Sequence, residues 1–351
     1  MALPVFGEWR TVFFHDEDRS SLAIHELRFA NEKRGVALAA LSEKGNRKPV
    51  AVITSDAGAT WKLTPLKEDG LSLFFLDVAH GWMVTDEGVW FTGDGGASFQ
   101  KLVKMKGVAR VHFLDAKRGF AVGGPKKVWE TGDGGRNWRD VPAAQLPEAE
   151  ANRSMYNWID FSTPANGAIV GFHETTRNPL RHPAWLDPER AQRLRQWPSL
   201  TLALSTNDGG ATWQPASSSI FGRISRLRMA PSGAGYALVE FHYEFDYPSE
   251  IYEVQANSTQ SKSIFKAKNR AVTDMLLQPD GKLILGAVEP ATTVRQLPVP
   301  GRVHILQGRE GDWQEMKVDY RAVARRVVLA RAEGEVWAAT DTGMILKWAG
   351  R

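Results

Sequence analysis

Thr131-Gly132-Asp133-Gly134-Gly135-Arg136-Asn137-Trp138 is a turn signature, and its eight-residue frame occurs three more times: Thr54-Ser55-Asp56-Ala57-Gly58-Ala59-Thr60-Trp61, Thr92-Gly93-Asp94-Gly95-Gly96-Ala97-Ser98-Phe99 and Thr206-Asn207-Asp208-Gly209-Gly210-Ala211-Thr212-Trp213. In every copy a hydroxyl residue stands two before an Asp, a Gly two after it and an aromatic five after it. Each position meets a demand of a tight hairpin. The Asp accepts hydrogen bonds from backbone N–H groups a few residues on, and the Gly supplies the positive φ of the bend. The aromatic opens the next strand, where it buries a large apolar area and anchors the turn. Asp56, Gly58 and Trp61, Asp94, Gly96 and Phe99, Asp133, Gly135 and Trp138, and Asp208, Gly210 and Trp213 are therefore read as structural supports between adjacent antiparallel strands. A calcium loop is the competing reading, but one carboxylate per frame falls short of the several oxygen ligands such a loop needs.

The frames recur with a period. Asp94 follows Asp56 by 38 residues, Asp133 follows Asp94 by 39, and Asp208 follows Asp133 by 75 across an insertion. A unit of roughly 40 residues with four short strands has the size of one propeller blade. Around the frames the layout repeats: Val108 to Leu114, a turn through Gly119, Phe120 to Val122, Lys127 to Thr131 and then Trp138 to Val141. Weaker copies begin at Ile24, Tyr156, Ile224 and Val272. The last unit, from Arg326 to Trp348, lacks a fourth strand, and Glu8-Trp9-Arg10-Thr11-Val12 resembles the fourth strands elsewhere. Pairing the two termini would complete it and remove exposed sheet edges. The expected fold is all-β: one domain over residues 1–351, a seven-bladed β-propeller of four-stranded antiparallel blades closed by its N-terminal strand.

Composition agrees. Thirteen Trp and 32 Gly suit many short strands joined by tight turns. No apolar run is long enough to span a membrane as a helix, and a soluble chain is expected. Met1 to Trp9 lacks the pattern of a signal peptide, which points to the cytoplasm, with export of a trimmed form as the alternative. A net charge of +4 over 351 residues permits acidic partners without specifying nucleic acid.

Along the first strands one alternate set is apolar and packs blade on blade, as in Leu27 and Phe29 or Val111 and Phe113. The opposite set borders the central channel and is mixed but much more polar: Glu26, Arg28, Ser72, Phe74, Arg110, His112, Trp158, Asp160, Arg226, Arg228, Asp274, Leu276, Arg326 and Val328. A mostly basic lining results. Arg28, Arg110, His112, Asp160, Arg226, Arg228, Asp274 and Arg326 are candidate binding residues, while pairing of the arginines with Glu26, Asp160 and Asp274 would make them structural instead. His25 and His112 read as satisfied inner-strand residues. The largest insertion, at about 174–199, is basic and partly helical, with Asp187 as N-cap and Pro188 in the first turn. Its Arg177, Arg181, Arg190, Arg193 and Arg195, with Trp185 and Trp197, suit an acidic or protein surface. A solvated helix is the plainer reading. Phe241 to Pro248 and Pro290 to Gly301 are further loop insertions.

The first strand, Gly-containing turn, second strand and T-x-D-G-G-x-x-W frame resemble the Asp-box, or BNR, repeat over most of the chain. Phe113-Leu114-Asp115-Ala116-Lys117-Arg118-Gly119-Phe120-Ala121-Val122-Gly123, running to Thr131-Gly132-Asp133-Gly134-Gly135, is similar to the photosystem II assembly and stability factor propellers. That resemblance implies a non-catalytic protein that holds partner polypeptides. Sialidases and xyloglucan-cleaving glycosidases share the box, so a glycoside hydrolase or glycan-binding protein using the arginine-lined channel is the alternative, with Asp160 or Asp274 as its acid. The Arg-Ile-Pro signature of sialidases is absent and no Tyr occupies a first-strand core. The eight His residues are scattered without ligand spacing, so neither metal nor cofactor is expected. Gly123-Gly124-Pro125-Lys126 reads as a hairpin turn rather than a phosphate cradle. A protein is the expected partner of a monomeric chain, an anionic glycan the second choice, and nucleic acid is not expected.

Overall fold

The computed structural model describes residues 7–175, 183–184, 186–194, 197–241, 247–255, 261–289 and 299–350, and these are mostly β-strand. Five antiparallel sheets of four strands follow one another along the chain. The first runs through Ser20–Phe29, Gly35–Glu43, Asn46–Thr54 and Lys62–Pro65. The next four open with Gly70–Phe75, Val108–Phe113, Ser154–Phe161 and Arg223–Met229. In the remaining sheet of nine strands, Ala271–Leu277, Leu283–Glu289, Gly301–Arg309 and Asp312–Val318 continue into Gly7–Phe14, Met344–Gly350, Glu335–Thr340 and Val327–Ala332. Val323–Ala324 pairs with Gly301–Arg309 beside that path. The joint is a short parallel pairing, Glu8 with Lys317 and Trp9 with Val318. Gly7–Phe14 also runs antiparallel to Met344–Gly350, from Gly7 opposite Gly350 to Phe14 opposite Met344. The opening strand of each sheet contacts that of the next, and Ser20–Phe29 contacts Val327–Ala332.

The four turn frames fold alike. Thr131 Oγ1 donates to Asp133 Oδ1 at 2.9 Å and accepts the Gly135 N–H at 3.0 Å, while Asp133 Oδ1 also accepts the Asn137 N–H at 2.9 Å. Gly58, Gly96 and Gly210 donate to Thr54, Thr92 and Thr206 at 2.9, 2.9 and 2.8 Å. Thr60, Ser98 and Thr212 donate their N–H groups to Asp56, Asp94 and Asp208. The leading Thr is thus as much a strut as the Asp. The backbone and side-chain amides of Asn137 hold Asp133 at about 2, and the hydroxyl and N–H of Thr212 do the same for Asp208. The box aromatics stand one residue before the strand instead of opening it, as Trp61 precedes Lys62–Pro65.

Those aromatics join sheets. Trp213 meets Phe120 at 5.4 Å and Phe161 at 6.1 Å, and Trp61 meets Trp337 at 6.1 Å. The second Gly of the frame lies against the second strand of the preceding sheet: a Cβ on Gly58 would stand 2.5 Å from Trp337, on Gly96 2.3 Å from Val36 and on Gly210 2.3 Å from Phe120. At the Asp133 frame the contact is a hydrogen bond, from Trp82 Nε1 to the Gly134 carbonyl at 3.0 Å. Each frame therefore closes its own hairpin and caps its neighbour.

This double duty sets a test. Gly210 has φ +84° and no room for a methyl group, so Gly210→Ala is expected to cost about 2–4 kcal/mol from left-handed strain and overpacking together. Gly132 has open space around its Cβ position, and Gly132→Ala should change stability by no more than about 0.5 kcal/mol. Urea unfolding of the two variants checks the contrast.

Candidate functional site

The polar residues meet on opening strands of which six share an irregularity, while Val327–Ala332 pairs without one. Register slips between Ile24 and Glu26, Gly70 and Ser72, Val108 and Arg110, Tyr156 and Trp158, Ile224 and Arg226, and Val272 and Asp274. A bulge adds one unpaired residue and bends the strand, re-aiming the side chains beyond it. Three of the skipped residues reach the next sheet. His25 Nε2 lies 2.7 Å from the Gly70 carbonyl, Asn157 Nδ2 donates to the Ile224 carbonyl at 2.9 Å, and Thr273 Oγ1 donates to the Val327 carbonyl at 2.9 Å. Ser72 Oγ donates to the carbonyl of a fourth, Ala109, at 2.9 Å.

The re-aimed residues form one cluster. Glu26 pairs with Arg28 at 2.7 Å and Arg110 at 3.3 Å, and Asp274 pairs with Arg226 at 3.1 Å and Arg228 at 3.8 Å. The Trp158 ring lies under three of these guanidinium groups, with Arg110, Arg226 and Arg228 at 4.0, 4.7 and 4.9 Å from its centre. Asp160 accepts the Met229 N–H at 2.7 Å, and Asp274 accepts the Leu329 N–H at 2.9 Å. His112 sits between Phe74 and Phe161, at 4.7 and 5.0 Å.

Burial and the arginines set the charges. Burial raises the carboxyls of Glu26 and Asp274, but Arg28 and Arg110 for the first, and Arg226 and Arg228 for the second, more than offset it, so both stay below their ordinary range. Asp160 goes the other way. Burial outweighs Arg228 and pushes it up to about 6. Burial alone lowers His112 to about 4, so its ring is a neutral spacer at physiological pH. Four guanidinium groups face three carboxylates, and the arginine side chains keep between 13 and 25 % of their surface exposed. Such a surface can receive a carboxylate, another anion or backbone carbonyls on pre-oriented donors. Asp160 and Asp274, the acids a hydrolase would need, are engaged with backbone N–H groups of neighbouring strands.

Arg28, Arg110, His112, Asp160, Arg226, Arg228 and Asp274 are brought together as the alternation predicted, and the pairing with acids tempers the basic lining. Arg326 is a correction. The last opening strand starts at Val327, so Arg326 precedes it, is exposed, and pairs with Glu240 at 2.8 Å. Trp158 is the residue whose role the sequence reading missed; its signal was its place on the polar side of its strand.

In the insertion, Pro188–Leu194 is a helix, and Asp187 accepts the Arg190 N–H at 3.0 Å as its N-cap. Leu186 and Ala191 are buried and seat it. Arg190 and Arg193 are exposed, Arg193 lying 3.8 Å from Glu189, and Trp197 is half-buried. Arg177, Arg181, Trp185 and Arg195 lie outside the described residues, as do 242–246 and 290–298 of the other two insertions. No hydrogen bond or ion pair among the described residues joins Arg190 or Arg193 to the cluster. Gly123-Gly124-Pro125-Lys126 is a hairpin turn, as expected, and the Lys126 ammonium donates to the Gln145 and Pro147 carbonyls at 2.6 Å. Among the described residues no group of three or more His, Asp or Glu side chains is placed to hold a metal, and no helix is long and apolar enough to cross a membrane.

No family model matches the chain. Over 197 residues it is 28 % identical to the Photosystem II assembly lipoprotein Ycf48 of Synechococcus sp. strain CC9902, a match that covers 49 % of this chain and 54 % of that protein. The chain thus spans about half the length of the curated relative it matches. Among solved structures, YCF48 bound to D1 peptide aligns over 97 % of this chain and 95 % of its own, with a TM-score of 0.62 at 14 % identity. YCF48 from Cyanidioschyzon merolae aligns over 97 % and 98 %, with a TM-score of 0.60 at 13 % identity. The β-propeller domain of the Trilobed protease from Pyrococcus furiosus aligns over 94 % of each chain, with a TM-score of 0.52 at 10 % identity. The chain is a β-propeller, similar in sequence to the photosystem II assembly factor Ycf48 over half its length and in fold over nearly all of it.

Proposed function

We propose that this chain is a non-catalytic scaffold that docks a partner protein, in the manner of an assembly or stability factor, through its loop face and basic insertion. The proposed framework is a single domain of seven blades. The nine-stranded sheet counts as two of them, and Gly7–Phe14 supplies the outer strand that closes the ring. The observation that carries the reading is the arginine cluster on Trp158, whose guanidinium groups are held by Glu26 and Asp274 yet keep an exposed edge. Donors fixed in advance lose little freedom when a partner binds, which favours a binding surface. A polypeptide partner is supported by the propeller of similar fold that holds a D1 peptide. An anionic glycan is the second occupant that the same cluster suits.

The insertion is tested by replacing Arg190, Arg193 and Arg195 with Glu. Partner capture in a pull-down from the producing cells should fall about tenfold or more, since each reversal removes an attraction and adds a repulsion. The melting temperature should not change, because Arg190 and Arg193 are exposed. Unchanged capture would remove the insertion from the docking surface.

A further inference from the structure

Among the described residues an inter-sheet space is left open. A cavity of about 490 Å³ lies between the sheet opened by Ser154–Phe161 and the sheet opened by Arg223–Met229. Its walls include Ala168, Ala203 and Ala216 on one side and Met229, Ala237 and Val254 on the other. The preceding interface is filled by Phe120, Tyr156, Phe161 and Trp213, whereas here Trp158 is the one aromatic of the buried cluster, and Phe221, Phe241 and Tyr252 line the open space itself. The cause is legible in the chain. In the boxed sheets a turn frame docks on Trp337, Val36, Trp82 or Phe120 at the start of the preceding second strand. Here the corresponding position is Ala168, and the connection 256–260, Ala-Asn-Ser-Thr-Gln, carries no such frame.

The rim of the cavity is a strand edge unlike the others. Gln214–Ile220 reads QPASSSI, is mostly exposed and has no charged residue. The other outer strands carry Lys or Arg, as in KLTP, QKLVK, RD and SKSIFK, and Asp312–Val318 is covered by Gly7–Phe14. Charge and covering are how sheet edges are guarded against pairing. Pro215 has no N–H to give its inner neighbour, so residues 215, 217 and 219 direct their backbone groups outward. Among the described residues no backbone hydrogen bond reaches that side. Gln214, Ala216, Ser217, Ser218 and Ile220 line the cavity, and Pro215 and Ser217 pair with Leu204 and Leu202 of the inner strand.

We propose that the open edge of Gln214–Ile220 and the adjoining cavity bind an extended, uncharged polypeptide segment, which adds a strand to the sheet and seats alternate apolar side chains between the two sheets. Strand addition draws affinity from backbone hydrogen bonds and selectivity from pockets for every second side chain. A free acyl chain would fill the cavity but leave the outward N–H and C=O groups of the rim without partners. This surface is separate from the arginine cluster and the insertion, and stands whether or not they dock a partner.

The test selects phage-displayed random octapeptides on the full chain, with counter-selection on Ala216→Trp, which fills the cavity. Selected peptides are then synthesised and titrated by fluorescence anisotropy against the wild type, Ala216→Trp and Ser217→Pro. Both substituted positions are exposed, and circular dichroism verifies folding. Peptides with apolar residues at alternate positions are expected, and their affinity should fall about tenfold or more in each variant and on N-methylation of the peptide backbone. The proposal is overturned if no peptide distinguishes the wild type from Ala216→Trp, if N-methylation is without effect and palmitate displaces the peptide, or if the edge is found paired with a second copy of the chain.

Discussion

Asp274→Ala is expected to destabilise the protein by about 3–5 kcal/mol, the range for removing one partner of a buried ion pair. Two arginines lose their carboxylate, and the N–H groups of Met275 and Leu329 lose their acceptor. Asp160→Asn has the opposite sign. Asn keeps an oxygen for the Met229 N–H and sheds a charge that burial opposes. A carboxyl raised from 3.8 to about 6 binds its proton more tightly in the folded protein. Its contribution is therefore fully present below pH 3.8 and is lost as pH rises through about 6. The Asn variant should gain on the wild type across that window and exceed it by about 3 kcal/mol at pH 8. Asp274, held below its ordinary range, stabilises above the unfolded value and loses that stabilisation as pH falls through its folded one. Urea titrations of both variants between pH 4 and pH 8 check the pair; parallel curves for Asp160→Asn and wild type would show that burial does not oppose its charge.

Trp9→Ala is the second large effect. Trp9 is 1 % exposed, lies 5.8 Å from Trp348 and belongs to the apolar cluster beneath the nine-stranded sheet. Truncating a buried aromatic costs about 3–5 kcal/mol. Phe14, on the same strand, is 50 % exposed, and Phe14→Ala should cost no more than about 0.5 kcal/mol. If Trp9→Ala also fell in that small range in thermal unfolding, the first strand would not be the mechanical closure of the proposed ring.

The range of each interaction decided whether the sequence disclosed it. The turn frame was legible because its hydrogen bonds span two to four residues, so Thr131, Asp133, Gly135 and Asn137 act within one short window. The channel side of the opening strands was legible from alternation, which brought Arg28, Arg110, Arg226 and Arg228 into one group. The bulges before Glu26, Arg110 and Asp274 were not, because a register slip is set by the partner strand and leaves no residue type of its own. Trp158 was placed on the right side, but its role depends on arginines about 50 and 70 positions away in the chain meeting over one ring. Arg326 was misassigned by a strand boundary one residue out, the least reliable feature of such a reading. The open cavity needed both sheets in place, since the missing turn frame shows only against the neighbour it would have capped.

The scaffold role proposed for this propeller requires that it hold a partner polypeptide. Photo-crosslinking in the producing cells tests it most directly, with benzoylphenylalanine placed at the exposed positions of Arg193 and Arg326 and the products read by mass spectrometry. A docking scaffold should give discrete adducts with a specific polypeptide from at least one of these positions, absent when the probe replaces the outer-strand Lys104. Probes that yield no polypeptide adduct, in a protein that turns over a panel of fluorogenic glycosides, would contradict it.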